Sequence, residues 1–171
     1  MPPERIILIR HGVAVDPDVW SEDDDQRPLT PIGERRAAQV ARGLKQFDIR
    51  ADVILSSPLP RAWRTAEITA GVLRMTSRLE PAPMLSVHHS AEQIRRVLLK
   101  RPERIVMAVG HNMSLSHLIG QLIGFEPGSP LISEMRKSGV ASLKLIDPHG
   151  DRYLLDWLAT PKLLRRLGKR R

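Results

Sequence analysis

The sequence of 171 residues contains no cysteine, which excludes disulfides, thiolate metal ligands and a thiol nucleophile. Aromatic side chains make up only 4% of the chain, too few to expect the stacking platforms that hold single-stranded nucleic acid. Long apolar runs are missing. The run near the N-terminus, Ile6-Ile7-Leu8-Ile9, is too short for a secretory core or a membrane span. A cytoplasmic protein without membrane contact is therefore expected. No histidine pair has the i,i+4 spacing with an adjacent glutamate that marks a helical metal site, so neither metal nor cofactor is expected. Repeats and low-complexity segments are also lacking.

The formal net charge is +8, but it is unevenly spread. Residues 161–171 hold Lys162, Arg165, Arg166, Lys169, Arg170 and Arg171 with no acid, so most of the excess belongs to this end. The expectation is one domain over residues 1–160 and a solvated, frayed basic tail over 161–171. No nucleic-acid partner is implied. The oligomeric state is left open, and a monomer is compatible with the sequence.

Apolar runs alternate with helical patterns. Residues 6–9, 53–55 and 105–109 are β-branched or aliphatic without alternation, as in strands buried on both faces. Thr30-Pro31 and Ser57-Pro58 each look like a cap followed by a proline, opening helices to about residues 47 and 73. Further helices are predicted over 91–100 and 112–124, and a short strand over 78–80. A hairpin is predicted from 141–146 and 152–157, turning at Pro148-His149-Gly150. This order implies an α/β fold: a mostly parallel central sheet with helices on both faces.

Such sheets bind ligands beyond the carboxyl ends of their strands. There the sequence places Arg10-His11-Gly12, Ser56-Ser57 with Arg61 soon after, and Gly110-His111-Asn112. If those strands are neighbours, two arginines and two histidines converge with no nearby carboxylate. That set suits a dianionic phosphoryl group. Guanidinium forks match phosphate oxygens, helix starts near Arg61 and His111 favour anions, and neutral imidazole can attack phosphorus. Gly12 allows close backbone approach.

Arg10-His11-Gly12, Leu29-Thr30-Pro31-Ile32-Gly33, Ser57-Pro58-Leu59-Pro60-Arg61-Ala62 with Thr65-Ala66, and Gly110-His111-Asn112 resemble the histidine phosphatase superfamily. That superfamily includes the cofactor-dependent phosphoglycerate mutases. The Gly-His-Asn form, the short length and the ending Pro161-Lys162-Leu163-Leu164 are most similar to bacterial SixA-type phosphohistidine phosphatases. The resemblance implies a phosphoglycerate mutase-like three-layer α/β/α sandwich. It implies His11 as the nucleophile and Arg10, Arg61 and His111 as catalytic groups that bind the phosphoryl oxygens. Gly12 and Asn112 belong to the phosphate-binding set, Asn112 and Thr30 in supporting or capping roles.

Mutases and many monoester phosphatases carry a glutamate general acid where this chain reads Met84-Leu85-Ser86-Val87-His88-His89, with no carboxylate before Glu92. An imidazole leaving group needs little help, whereas an alkoxide depends on a proton donor worth about 10²–10⁴-fold. The expected substrate is thus phosphohistidine on a protein, for instance a histidine phosphotransfer domain, cleaved through a phosphohistidine intermediate. The alternative is a phosphomonoesterase for small metabolites, with His88, His89 or Glu92 as donor. An inactive phosphate-recognition module is a third reading. Asp16, Asp18, Glu22, Asp23, Asp24 and Asp25 read as a solvated acidic loop, with gating of the crevice as a further reading. His117 reads as a structural residue on a helix face, and His149 as a turn residue.

Overall fold

The computed structural model describes residues 1–131, 133–147 and 151–169. The chain runs through β1 (Arg5–Arg10), α1 (Pro31–Gln46), β2 (Val53–Ser56), α2 (Pro60–Leu73) and β3 (Leu79–Pro81). It continues through α3 (Ala91–Leu98), β4 (Ile105–Gly110), α4 (Asn112–Leu122), β5 (Val140–Leu145), β6 (Tyr153–Ala159) and α5 (Pro161–Leu167). The strands form a six-stranded sheet in the order β3-β2-β4-β1-β5-β6. The first four in that order pair parallel, while β5 pairs antiparallel with β1 and β6 antiparallel with β5. The sheet is therefore mixed, parallel through its centre and antiparallel along one side.

Alternate side chains of a strand point to opposite faces, and both faces here are apolar. Ile7, Ile9, Ile54, Met107 and Val109 pack with Val40, Leu44, Ala66 and Leu164 from α1, α2 and α5. Ile6, Leu8, Leu55, Val106 and Ala108 pack with Ile94, Leu98, Leu115 and Ile119 from α3 and α4. This is the three-layer sandwich expected from the sequence. Among the described residues no helix is long and apolar enough to cross a membrane.

The start of α1 is fixed by its sequence. The Thr30 hydroxyl oxygen accepts from the Gly33 amide at 2.9 Å, and the hydroxyl donates to the Val13 carbonyl at 3.1 Å. A Cβ on Gly33 would stand 2.0 Å from that same carbonyl oxygen, so only glycine lets α1 seat on the loop after β1. The Leu29–Gly33 motif thus clamps the segment that follows His11.

Two expectations are corrected. Helix α2 begins at Pro60, with Leu59 at the N-cap and no side-chain cap. Ser57 is not the cap; its Oγ accepts from the Leu59 amide at 3.3 Å and closes a turn before the helix. The basic tail is not frayed over its described part. Thr160 caps α5 through the Leu163 amide, and Leu164 is fully buried against α1, where Gly43 allows close backbone contact. Burying one leucine in a ready-made cleft outweighs the solvation of the surrounding cations, which stay on the outer side. Arg170, Arg171 and the turn Pro148-His149-Gly150 lie outside the described residues.

Replacing Leu164 by Ala is predicted to cost about 2–5 kcal/mol of stability in urea denaturation, the range for a truncated core leucine. An unchanged midpoint would mean that the segment contributes nothing to the fold.

Candidate active site

Because β2, β4 and β1 are parallel neighbours, their carboxyl ends lie level. Arg10 stands in register with Gly110, and Ser56 with Val109. The residues that follow these strands are thereby gathered on one side of the sheet, at the mouth of a cleft of about 650 Å³. Arg10, His11, Arg61, His111 and Asn112 all line it.

His11 is only 7% exposed. Its amide donates to the Gly110 carbonyl at 3.0 Å, which fixes the chain as it leaves the sheet. Its Nδ1 lies 2.8 Å from the Gly12 carbonyl oxygen. A carbonyl only accepts, so Nδ1 carries the hydrogen and Nε2 keeps the lone pair. The Gly12 amide donates to Thr65 Oγ1 at 3.0 Å, and the Thr65 hydroxyl donates to the Arg61 carbonyl at 2.7 Å. One threonine on α2 therefore ties the His11 turn to the Arg61 turn.

His111 is 5% exposed and forms the N-cap of α4. Its ring centroid lies 5.2 Å from that of His11, with the planes tilted by 56°. Its Nε2 is 3.0 Å from Ser57 Oγ. That oxygen also accepts from Leu59; when its own hydrogen goes to Nε2, the ring hydrogen sits on Nδ1.

Arg61, the second residue of α2, is 2% exposed. Arg10 donates through Nη1 to the Met135 carbonyl at 2.6 Å and lies 3.7 Å from Glu134. Arg10 Nε, Arg61 Nε and His111 Nδ1 are buried without a hydrogen-bond partner. Buried donors are normally satisfied, so these nitrogens suit an oxyanion as the missing acceptor.

Burial is the main force on both imidazoles. It pushes His11 from 6.5 down to about 3, with the charges of Arg61 and Arg10 adding to it and the Gly12 hydrogen bond opposing it. His111 is likewise pushed down to about 3, by burial first and then by His11 and Arg61. Burial also lowers both arginines, though guanidinium remains charged at any useful pH. The site thus sets two neutral imidazoles beside two fixed cations.

Other predicted residues are placed differently. The Asn112 amide nitrogen donates to Glu134 at 3.0 Å, and its oxygen accepts from the Ser116 hydroxyl at 3.2 Å. Thr30 serves α1 and does not line the cleft. His88 points to solvent and pairs with Asp25 at 2.7 Å. His89 and Glu92 line the cleft; His89 Nδ1 is 3.2 Å from Ser86 Oγ, and Glu92 pairs with Arg96. His117, read from the sequence as structural, also lines it.

Arg27 escaped the sequence reading, and Asp24 entered it only as one member of the acidic loop. Arg27 lines the cleft, donating from Nη1 to the Val15 carbonyl at 2.7 Å and from Nε to Asp24 Oδ1 at 2.7 Å. The expectation of no nearby carboxylate is corrected by Asp24. Its carbonyl accepts from Arg61 Nη1 at 2.6 Å, and its Oδ2 lies 3.2 Å from Arg61 Nη2. The Arg27 hydrogen bond first, and the nearby Arg61 charge after it, hold the Asp24 carboxyl below its usual range. The physical reason is that a desolvated guanidinium draws in the nearest acid. The signal lay in the order of residues: an acidic run ending in an arginine just ahead of the helix-capping motif.

The sequence profile of the histidine phosphatase superfamily (branch 1) matches residues 6–86. A relative from Picosynechococcus sp., itself an uncharacterized protein, is 32% identical over 171 residues, spanning 94% of this chain and 98% of the relative. Among solved structures, the protein histidine phosphatase SixA complexed with tungstate is similar, with a TM-score of 0.79 at 24% identity over 94% of this chain and 99% of that one. The α-ribazole phosphatase of Shigella flexneri superposes with a TM-score of 0.72 at 19% identity, covering 92% of this chain and 96% of that one. A phosphoserine phosphatase variant from Entamoeba histolytica, bound to phosphoserine, gives 0.70 at 20% identity, covering 94% and 98%. At these identities the solved structures share the fold.

The two depressed histidines make acid sensitivity predictable. Below the ordinary value of 6.5 the unfolded chain binds protons at both positions while the folded chain does not, down to about 3. Stability is therefore lost as pH falls through that window, by up to roughly 1.4 kcal/mol per pH unit for each histidine. Urea midpoints should hold near neutrality and drop steadily below it, with a shallower drop in His11→Gln. A midpoint independent of pH across that window would show that these rings protonate freely in the fold.

Proposed function

The chain belongs to the histidine phosphatase superfamily, and we propose that it is a phosphatase that transfers a phosphoryl group from phosphohistidine on a protein to Nε2 of His11. The observation that carries this reading is the buried His11 ring, held by Gly12 with its lone pair on Nε2 and set among Arg10, Arg61 and His111. A neutral ring needs no deprotonation before it attacks phosphorus. The guanidinium forks and the His111 N–H take the phosphoryl oxygens, whose charge grows and spreads in the transition state. The departing nitrogen takes up a proton from solvent as its bond to phosphorus breaks. Water then attacks the phosphorus on His11, the bond to Nε2 breaks, and phosphate leaves with the ring neutral again. No metal is required in this scheme.

The choice of substrate rests on the leaving group. Residues 84–90 bring no carboxylate to the cleft, and Glu92 is engaged by Arg96. An alkoxide would leave slowly from such a site, whereas an imidazole leaves readily. The SixA protein reported above is a protein histidine phosphatase. A phosphotransfer domain carrying phosphohistidine is the corresponding partner. A second reading, a phosphomonoesterase for small metabolites, is favoured by His89 and Glu92 on the cleft wall. Two of the structural neighbours act on such esters by name.

His11→Ala should reduce turnover of any substrate by at least about 10³-fold, since loss of a covalent nucleophile leaves only binding and charge stabilisation. Retained activity would refute the covalent route. Wild-type rates on a phosphohistidine-bearing phosphotransfer protein, set against a panel of phosphate monoesters in the presence of a chelator, decide the substrate. Preference for the protein supports the first reading, and preference for one ester the second.

A further inference from the structure

Arg61 presents to the cleft the fork that a phosphoryl group needs, yet Asp24 already engages both of its terminal nitrogens. The Asp24 carbonyl takes Nη1 at 2.6 Å and Oδ2 lies 3.2 Å from Nη2. A phosphate can still take the partnerless Nε hydrogen and a remaining hydrogen of a terminal nitrogen, so it binds Arg61 with Asp24 in place. The carboxylate is also held independently of Arg61. Its other oxygen is held by Arg27 Nε at 2.7 Å, and Arg27 is itself anchored on the Val15 carbonyl.

The turn carrying Asp24 is fastened on both sides. Asp23 Oδ1 accepts from the Asp25 amide at 3.0 Å, and Trp20 Nε1 donates to the Asp23 carbonyl at 2.9 Å. Asp25 reaches across to His88 at 2.7 Å, joining this loop to the segment that ends at α3. Asp24 therefore stays at the edge of the phosphoryl site, its carboxylate beside Arg61.

We propose that Asp24, held in place by Arg27, is a specificity-determining residue that rejects phosphoryl donors whose leaving group carries an anion and admits neutral or cationic ones. The inference rests on the phosphatase reading and deepens it, because an imidazole leaving group is neutral or cationic. Carboxylate-bearing esters and compounds with a second phosphate are disfavoured by charge. Discrimination of this kind works by building repulsion against the wrong ligand, and because the Asp24 side chain is half exposed, solvent and salt screen that repulsion.

The test compares p-nitrophenyl phosphate with 4-carboxyphenyl phosphate, measuring phosphate release by wild type, Asp24→Asn and Asp18→Asn. Asp18 lies in the same loop, and its side chain engages neither arginine in the structure. Asp24→Asn should raise kcat/KM for the carboxylated ester relative to the neutral one by about five-fold, the scale of one solvent-screened charge contact. It should also tighten inhibition by tungstate. Asp18→Asn should change neither, and higher ionic strength should narrow the wild-type preference without any mutation. An unchanged ratio in Asp24→Asn, with both esters hydrolysed, would overturn this inference alone. Hydrolysis of neither ester by the wild type, together with none of a phosphohistidine protein, would overturn the phosphatase reading and this inference with it.

Discussion

A neutral imidazole kept among cations is the arrangement on which the site depends. Water would protonate such a ring near its ordinary value; burial and the adjacent guanidinium groups make that protonation costly for His11 and His111. Neutrality alone does not distinguish the two rings. The hydrogen bond from Nδ1 to the Gly12 carbonyl does, since it directs the lone pair to Nε2. His111 is held differently, through the Ser57 hydroxyl, and its partnerless Nδ1 leaves it suited to donate. Two chemically identical side chains thus take opposite roles from their neighbours.

The scaffold supports that arrangement from four directions. The parallel register of β1, β2 and β4 brings the strand ends level. Thr65 joins the Gly12 amide to the Arg61 carbonyl, so the His11 turn and the arginine helix are tied together. Thr30 and Gly33 fasten α1 to Val13, just beyond His11. Glu134 contributes from the far side, holding Asn112 and standing near Arg10. The Thr65 and Thr30 bonds end on backbone groups, where losing one partner costs more than the bond itself contributes.

Much of this was legible in the sequence because buried strands and proline-led helix starts leave strong local signals. The unbroken runs at Ile6 and Ile105 announced two-faced strands, and Thr30-Pro31 announced α1. Ser57-Pro58 misled because a serine before a proline closes a turn as readily as it caps a helix. The end of the chain misled because charge dominated its composition, while a single buried Leu164 decided its packing. Asp24 and Arg27 were hidden for another reason. A run of acids looks the same whether it faces solvent or reaches into a cleft, and only the tertiary path of the loop brings Asp24 onto Arg61. The acidic loop is in that sense part of the anion site, although its composition reads as the opposite.

Nε2 of His11 is the atom proposed to receive the phosphoryl group. Rapid quenching of turnover into neutral or mildly alkaline solution, followed by mass-spectrometric mapping and isomer assignment of the phosphoenzyme, tests this directly. The predicted result is phosphate on His11 at Nε2, absent from His111. Phosphate on Nδ1, or on any other residue, would contradict it.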